Sequence, residues 1–162
     1  MQPLTILLAA PSGTGKSTMA KRLFDDFPQL KFSVSATTRA PRKGESHGVD
    51  YYFLSMESFQ QKIDDGDFIE WEEFYGGTRY GTLRSELVKN TEKGYFTLLD
   101  VDVKGAVRLK SLFDEYCLAL FLRPPSLETL EERLRNRNTD SETSLKLRLE
   151  RAEEELGYAG QF

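Results

Sequence analysis

The sequence predicts an α/β fold in which a parallel sheet flanked by helices carries a smaller mixed α+β insert. Two short runs, Leu4–Ala9 and Cys117–Leu122, are continuously apolar and bounded by turn residues, the pattern of strands buried on both faces. Helical periodicity follows such runs along the chain, which implies strand–helix–strand crossovers. Between Phe32 and Tyr80 the texture changes to short aromatic segments separated by Gly, Pro and Asp.

In chain order, Leu4–Ala9 is the first strand. Ser17–Phe27 places Met19, Ala20, Leu23 and Phe27 on one side of a helix. In the insert, Phe32–Ser35, Tyr51–Ser55 and Phe68–Phe74 read as short strands, with one helix over Met56–Asp65. Tyr95–Val101 is a third candidate for the parallel sheet and leads into the acidic pair Asp100 and Asp102. Val103–Phe113 gathers Val103, Ala106, Val107, Leu109 and Leu112 on one helical face. Ser126–Asn136 carries Leu127, Leu130 and Leu134 behind Ser126 as N-cap, and the chain from Glu128 to Glu155 is highly charged and helical.

With 162 residues the chain suits one domain with its own core. Its net charge of −4 provides no global basic field for nucleic acid or a membrane surface. The single cysteine, Cys117, lies in an apolar run and reads as a buried, reduced thiol, which suits a cytoplasmic setting. The apolar run Leu4 to Ala10 lacks a basic leader and is too short to span a bilayer, so no export signal is expected.

The first strand runs into Ala10-Pro11-Ser12-Gly13-Thr14-Gly15-Lys16-Ser17-Thr18 and then a helix. This is the order a phosphate-binding loop needs. Backbone N–H groups of Ser12 to Thr18 surround phosphate oxygens where the helix dipole favours negative charge. Lys16 faces the β and γ phosphates of ATP, and the Ser17 hydroxyl is the candidate Mg²⁺ ligand. Alanine stands at position 10 where the motif has its first glycine, a substitution that costs energy if φ is positive there.

Further on, Arg39 and Arg42 stand three apart, close enough to grip one dianionic group with forked hydrogen bonds. Taken singly, an arginine pair also fits a solvated surface, and Tyr51, Tyr52 and Phe53 fit a core. Glu70, polar amid Phe68, Ile69 and Trp71, fits the outer side of an alternating strand.

The segment Phe32 to Glu45 closely resembles guanylate kinases. The likeness continues through Gly48-Val49-Asp50-Tyr51-Tyr52-Phe53, Phe68-Ile69-Glu70-Trp71, Tyr80-Gly81-Thr82, Leu99-Asp100-Val101-Asp102 and Pro124-Pro125-Ser126, and covers essentially the whole chain. The resemblance implies a P-loop NTPase-type core (residues 1–31 and 83–162) with a helical lid near 126–148, and a GMP-binding insert over 32–82, in one domain. It implies the reaction ATP + GMP = ADP + GDP, with Mg²⁺. It assigns Ser35, Arg39, Arg42, Tyr51 and Tyr80 to the phosphate of GMP, Glu70 and Thr82 to the guanine ring, and Asp102 to the acceptor site as a further carboxylate. Guanine presents N1–H and a 2-amino group side by side, which one carboxylate can accept together, while O6 suits a hydroxyl donor. Adenine lacks that pair of donors and would leave the carboxylate unpaired.

By the same resemblance Arg137 and Arg148 flank the lid and reach the transferring phosphates, and Arg133 lies near ATP. Asp100, at the strand end where ligands of open α/β sheets bind, is the candidate for holding Mg²⁺ through water or orienting phosphates; capping the next helix is its other reading. His47, the one histidine, sits in a turn and reads as exposed, since a phosphate nucleophile has little need of a histidine base. The loop Phe74–Arg79 is one residue longer than the family spacing. Guanylate kinases also continue past the point matching Phe162, so this chain is expected to lack the usual C-terminal segment. Two other readings stay open here: a non-catalytic guanylate-kinase-like binding module, and a kinase for another phosphorylated acceptor such as a ribose bisphosphate. Neither a solvated face nor a catalytic role is assigned to Arg135 or Arg151.

Overall fold

In a computed structural model that describes residues 5–136 and 142–162, the apolar runs become strands and the periodic segments helices. The elements are β1 (Thr5–Ala9), α1 (Lys16–Asp26), β2 (Leu30–Phe32), β3 (Ala36–Thr37), β4 (Tyr52–Phe53), α2 (Met56–Asp64) and β5 (Phe68–Glu73). They continue with β6 (Arg79–Leu83), α3 (Arg84–Glu92), β7 (Phe96–Asp100), α4 (Val103–Phe113), β8 (Cys117–Phe121), α5 (Leu127–Asn136) and α6 (Glu142–Leu156). The chain is α/β, with the parallel pairs β1–β8 and β2–β7 and six α-helices among the described residues. It divides into two compact units, one of Gln29–Leu99 and one of Thr5–Pro28 with Asp100–Phe162. No helix among the described residues is long and apolar enough to cross a membrane.

In the second unit β1 pairs parallel with β8, from Thr5 opposite Cys117 to Ala9 opposite Phe121. Leu7, Leu8 and Ala9 are buried, and α4 packs on both strands through a face that includes Val103, Ala106 and Leu109. The helix begins where Asp102 Oδ1 accepts the Gly105 N–H at 2.9 Å, so the N-cap is Asp102 and not Asp100. β8 departs from the expectation of a strand buried on both faces: it alternates, with Leu118 and Leu120 exposed. A continuous apolar run cannot distinguish one covered face from two. Helices α5 and α6 pack together through Leu130, Leu134, Leu145 and Ala152, and Ser126 Oγ accepts the Thr129 N–H in front of α5.

In the first unit β2 pairs parallel with β7. A second, mixed sheet has the order β4-β3-β6-β5, with β3–β4 parallel and the other pairs antiparallel. The segment Phe32–Ser35, expected as one strand, is instead split. β2 ends at Phe32 and β3 starts at Ala36, because the chain leaves one sheet and enters another. α2 is capped by Ser55 and buries Phe59, which stacks on Phe68 with centroids 4.4 Å apart. Gly81 is required at this contact, since a Cβ there would lie 2.8 Å from the Phe68 ring and 3.0 Å from the Glu70 carbonyl.

Phe59 is fully buried, so Phe59→Ala removes a stacked ring from a core of few residues. It is expected to lower unfolding free energy by about 3–5 kcal/mol in urea titration. Val88→Ala, at an exposed position, should stay within about 0.5 kcal/mol.

Candidate functional site

The strand–loop–helix turn from β1 to α1 has the backbone expected of a phosphate-binding loop. Gly13 and Gly15 have φ of 91° and 107°, the left-handed region glycine favours. A Cβ on Gly13 would also meet Leu134 at 2.9 Å, so α5 presses directly on the loop. Ala10 keeps an ordinary backbone: Asp114 is the one non-glycine residue with positive φ among the described residues. Alanine at that position therefore carries no conformational cost. Thr14 closes the loop with Oγ1 and N–H bonds to the Pro11 carbonyl at 2.7 and 3.2 Å.

Lys16, first residue of α1, donates to the Val101 carbonyl at 3.0 Å and forms an ion pair with Asp100. Arg133 from α5 donates to the Thr14 carbonyl at 2.8 Å, and Arg148 from α6 to the Ser12 hydroxyl at 3.2 Å. The structure thus brings Ser12, Thr14, Lys16, Asp100, Arg133 and Arg148 together around one loop. Ser17 and Thr18 are exposed on the first turn of α1. A cleft of about 870 Å³ adjoins the loop, lined by Gly13, Gly15, Thr18, Met19, Arg123 and Arg133 among others. Arg137 lies outside the described residues.

Below the site, Glu155 of α6 is buried and takes a bond from Arg151 Nε at 2.8 Å. Burial pushes its carboxyl above the ordinary carboxylate range, against the pull of Arg151. This gives Arg151 a partner, while Arg135 bridges Glu131 and Glu142.

In the first unit a second cluster forms on the mixed sheet. Glu70 on β5 is opposite Thr82 on β6, and the Thr82 hydroxyl donates to Glu70 Oε1 at 2.7 Å. Thr82 is 1% exposed, so its hydroxyl is fixed and the half-buried carboxylate is aimed by a neighbouring strand. Arg39 lies over the rings of Tyr51 and Phe53, at 5.3 and 5.6 Å from their centroids. Tyr51 meets Tyr80 edge-on at 6.0 Å. Ser35, half-buried just ahead of β3, accepts the Tyr52 N–H at its carbonyl. Ser35, Arg39, Tyr51, Tyr80, Glu70 and Thr82 are therefore carried on or beside the four strands of the mixed sheet. Arg42 is exposed in the turn that follows Arg39. Asp102, assigned by resemblance to the acceptor site, belongs to the other unit, where it caps α4. His47 is exposed and touches the Tyr52 ring edge-on.

Three supporting residues were missed by pattern reading. Thr37, fully buried, donates to the Arg79 carbonyl and accepts the Arg39 N–H, which sets the start of the Arg39 turn. Glu86 is 5% exposed and accepts bonds from the Tyr52 hydroxyl at 2.9 Å and the Val34 N–H at 3.3 Å. Burial and then this bond raise the Tyr52 phenol above its ordinary value. Glu45 accepts both terminal nitrogens of Arg39, at 2.8 and 2.9 Å. Only Glu86 carried a signal, as the acidic residue in the first turn of a helix.

A family model described as guanylate kinase matches residues 2–162. The chain is 53% identical over 157 residues to the guanylate kinase of Chlorobium luteolum, covering 97% of this chain and 79% of that protein. It is 51% identical over 154 residues to the guanylate kinase of Salinibacter ruber, covering 95% and 81%. Its fold is similar to the crystal structure of guanylate kinase from Anaplasma phagocytophilum, with a TM-score of 0.76, 34% identity, and 99% and 74% of the two chains covered. A glycine-required phosphate loop and an aimed carboxylate–hydroxyl pair are thus found in a chain that, by both sequence and fold, belongs to the guanylate kinase family.

Proposed function

We propose that this chain transfers the γ-phosphoryl group of ATP to GMP. The observation that carries the reading is the Glu70–Thr82 pair, a carboxylate and a hydroxyl fixed at 2.7 Å on adjacent strands. A carboxylate acceptor beside a hydroxyl matches the guanine edge: N1–H and the 2-amino group face Glu70, and the Thr82 hydroxyl, whose one proton is on Glu70 here, turns it to O6 once guanine donates to that carboxylate. A sugar acceptor has no such edge, and a non-catalytic module has no use for Lys16 paired to Asp100 beside a phosphate loop. Those two alternatives find no observation in their favour.

In the reaction a phosphate oxygen of GMP forms a bond to the γ-phosphorus as the bond from that phosphorus to the β–γ bridging oxygen breaks, giving GDP and ADP. No proton acceptor is needed, because the nucleophile is already ionised; catalysis is positioning and charge neutralisation. Lys16 exchanges Asp100 for the β and γ phosphates, and Arg133, Arg148 and Arg137 neutralise charge around them. Ser35, Arg39, Arg42, Tyr51 and Tyr80 hold the acceptor phosphate, with Asp102 as a further acceptor-side carboxylate. The exposed Ser17 hydroxyl, a hard oxygen next in sequence to Lys16, fits Mg²⁺, an ion held largely by nucleotide phosphates and water. Bound there with ATP, the ion would supply neutralisation of phosphate charge, and Asp100 would hold it through water or orient the phosphates. The domain reading is a core of 1–31 and 83–162 with a lid near 126–148, and an insert of 32–82 for GMP. A reducing, cytoplasmic setting completes the proposal, in keeping with the free thiol of Cys117, whose pKa burial raises.

A coupled assay offering ATP with GMP, AMP, UMP and CMP tests the function: GMP should be the preferred acceptor by at least about 10²-fold, the discrimination lost when a buried carboxylate is left unpaired. Equal rates with GMP and AMP would overturn the guanine assignment.

Lys16→Met keeps a long side chain and removes the charge. Turnover should fall by at least about 10²-fold, roughly 2.7 kcal/mol of transition-state stabilisation, with the fold intact by circular dichroism.

Two arginines should separate kinetically. Arg42→Ala should raise the KM for GMP by about tenfold or more, since it acts on bound GMP before chemistry. Arg137→Ala should lower kcat and leave GMP affinity nearly unchanged. Steady-state kinetics giving the reverse pattern would exchange the two assignments.

A further inference from the structure

Arg39 and Glu45 form the best-built ion pair of the Gln29–Leu99 unit. The carboxylate takes the end of the guanidinium with both oxygens, Oε2 from Nη1 at 2.8 Å and Oε1 from Nη2 at 2.9 Å. The second hydrogen of Nη1 goes to the Ala40 carbonyl at 2.8 Å. The same carboxylate also accepts the backbone N–H of Arg42 at 2.6 Å, so one group fixes one arginine's side chain and the other's main chain. Both side chains of the pair are four-fifths covered, at 18% and 20% exposure. The bond to Arg39 first, then that from the Arg42 N–H, holds the Glu45 carboxyl at about 2, and the pairing raises Arg39 above its ordinary value. Glu45 is thus ionised across any assay range. Its contribution is complete above about pH 4.5, the ordinary value, and is lost as pH falls toward about 2.

A guanidinium carries five N–H donors. Glu45 and Ala40 consume three of those on Arg39 and occupy its end, which leaves the side formed by Nε and the second hydrogen of Nη2. Those two donors are parallel and suit a phosphate bidentately. Below them Tyr51 and Phe53 support the plane of the group. A free arginine loses much of its rotamer freedom when it grips a ligand, whereas one already clamped loses little.

We infer that Glu45 is a positioning residue for the acceptor phosphate, clamping Arg39 by its end and the Arg42 turn by its main chain so that the remaining side of Arg39 is presented to the monophosphate. The inference rests on the proposed GMP site. A carboxylate that instead occupied the phosphate position would compete with the ligand, and the two roles give opposite signs on affinity.

The test compares wild type, Glu45→Gln, Glu45→Asp, Arg39→Ala and the double variant Arg39→Ala/Glu45→Gln. Steady-state kinetics are run with GMP and ATP, and GMP binding is followed through the fluorescence of Trp71, the one tryptophan. Glu45→Gln should raise the KM and Kd for GMP about tenfold, with kcat within about twofold and the KM for ATP unchanged. Glu45→Asp, which keeps the charge, should recover part of the loss. In the Arg39→Ala background the same Glu45→Gln change should cost less than about twofold, because the group it acts through is gone. An unchanged or lower KM for GMP in Glu45→Gln overturns the inference, the latter by showing competition. An equal loss with and without Arg39 also overturns it, since a purely structural role predicts that result. Wild-type protein that neither binds nor phosphorylates GMP overturns the function itself, and this inference with it; wild-type activity with an indifferent Glu45 overturns the inference alone.

Discussion

A cation held in a partly buried place cannot stay unpaired, and most of the candidate site follows from that constraint. Leaving a desolvated ammonium or guanidinium without a partner costs several kcal/mol in general, so a partner must be present that phosphate can replace or supplement. Lys16 rests on Asp100 and the Val101 carbonyl. Arg133 and Arg148 rest on the Thr14 carbonyl and the Ser12 hydroxyl, atoms of the loop they serve. Arg39 rests on Glu45. Each partner lies in a turn or at a strand end. The Lys16–Asp100 pair keeps some exposure, which makes exchange with a ligand less costly than for a fully buried pair, whereas Glu45 holds Arg39 by its end and leaves one side of it open.

The same logic accounts for why so much of the acceptor cluster is backbone geometry. Glu70 and Thr82 face each other because β5 and β6 are antiparallel in one register, interrupted by an irregularity between Phe68 and Glu70. A slip of one residue would turn both side chains to the other side of the sheet. Gly81 fixes that register sterically, since only a residue without Cβ lets β6 pass the Phe68 ring. The recognition pair and the core contact of Phe59 on Phe68 thus depend on one alignment.

How much of this the sequence made legible depended on whether an element was defined by its own residues or by a distant partner. β1, α1, β7, α4 and α5 were readable because apolar runs and helical periodicity are local. Strand β3, of two residues, exists only through pairing with the rest of its sheet and has no period to read, and β4, expected over Tyr51–Ser55, is limited by that pairing to Tyr52–Phe53. β6, Arg79-Tyr80-Gly81-Thr82-Leu83, was hidden by its glycine, which normally weakens a strand. α3 was hidden because the residues it buries are Glu86 and Asn90, so its inner face carries no hydrophobic signal. In the site, types and spacing pointed to Lys16, Arg39, Arg42, Glu70 and Thr82 through resemblance. Their partners were out of reach, since nothing local says that Glu45 meets Arg39 or that Asp100 meets Lys16.

The two loop glycines differ in a way that matters for how the loop could change. At Gly15 nothing lies within 4 Å of where a Cβ would be, so only the backbone angle resists replacement. Its φ of 107° lies beyond the left-handed well that asparagine tolerates, so any side chain there is strained by the backbone alone. Gly13 is held twice, by its angle and by the Leu134 and Leu130 side chains. Trimming those leucines would make room but leave the angle forbidden, and it would empty the α5–α6 core. No compensated pair of changes rescues that position. The same substitution should therefore cost more at position 13 than at position 15, the difference being the packing of α5 on the loop.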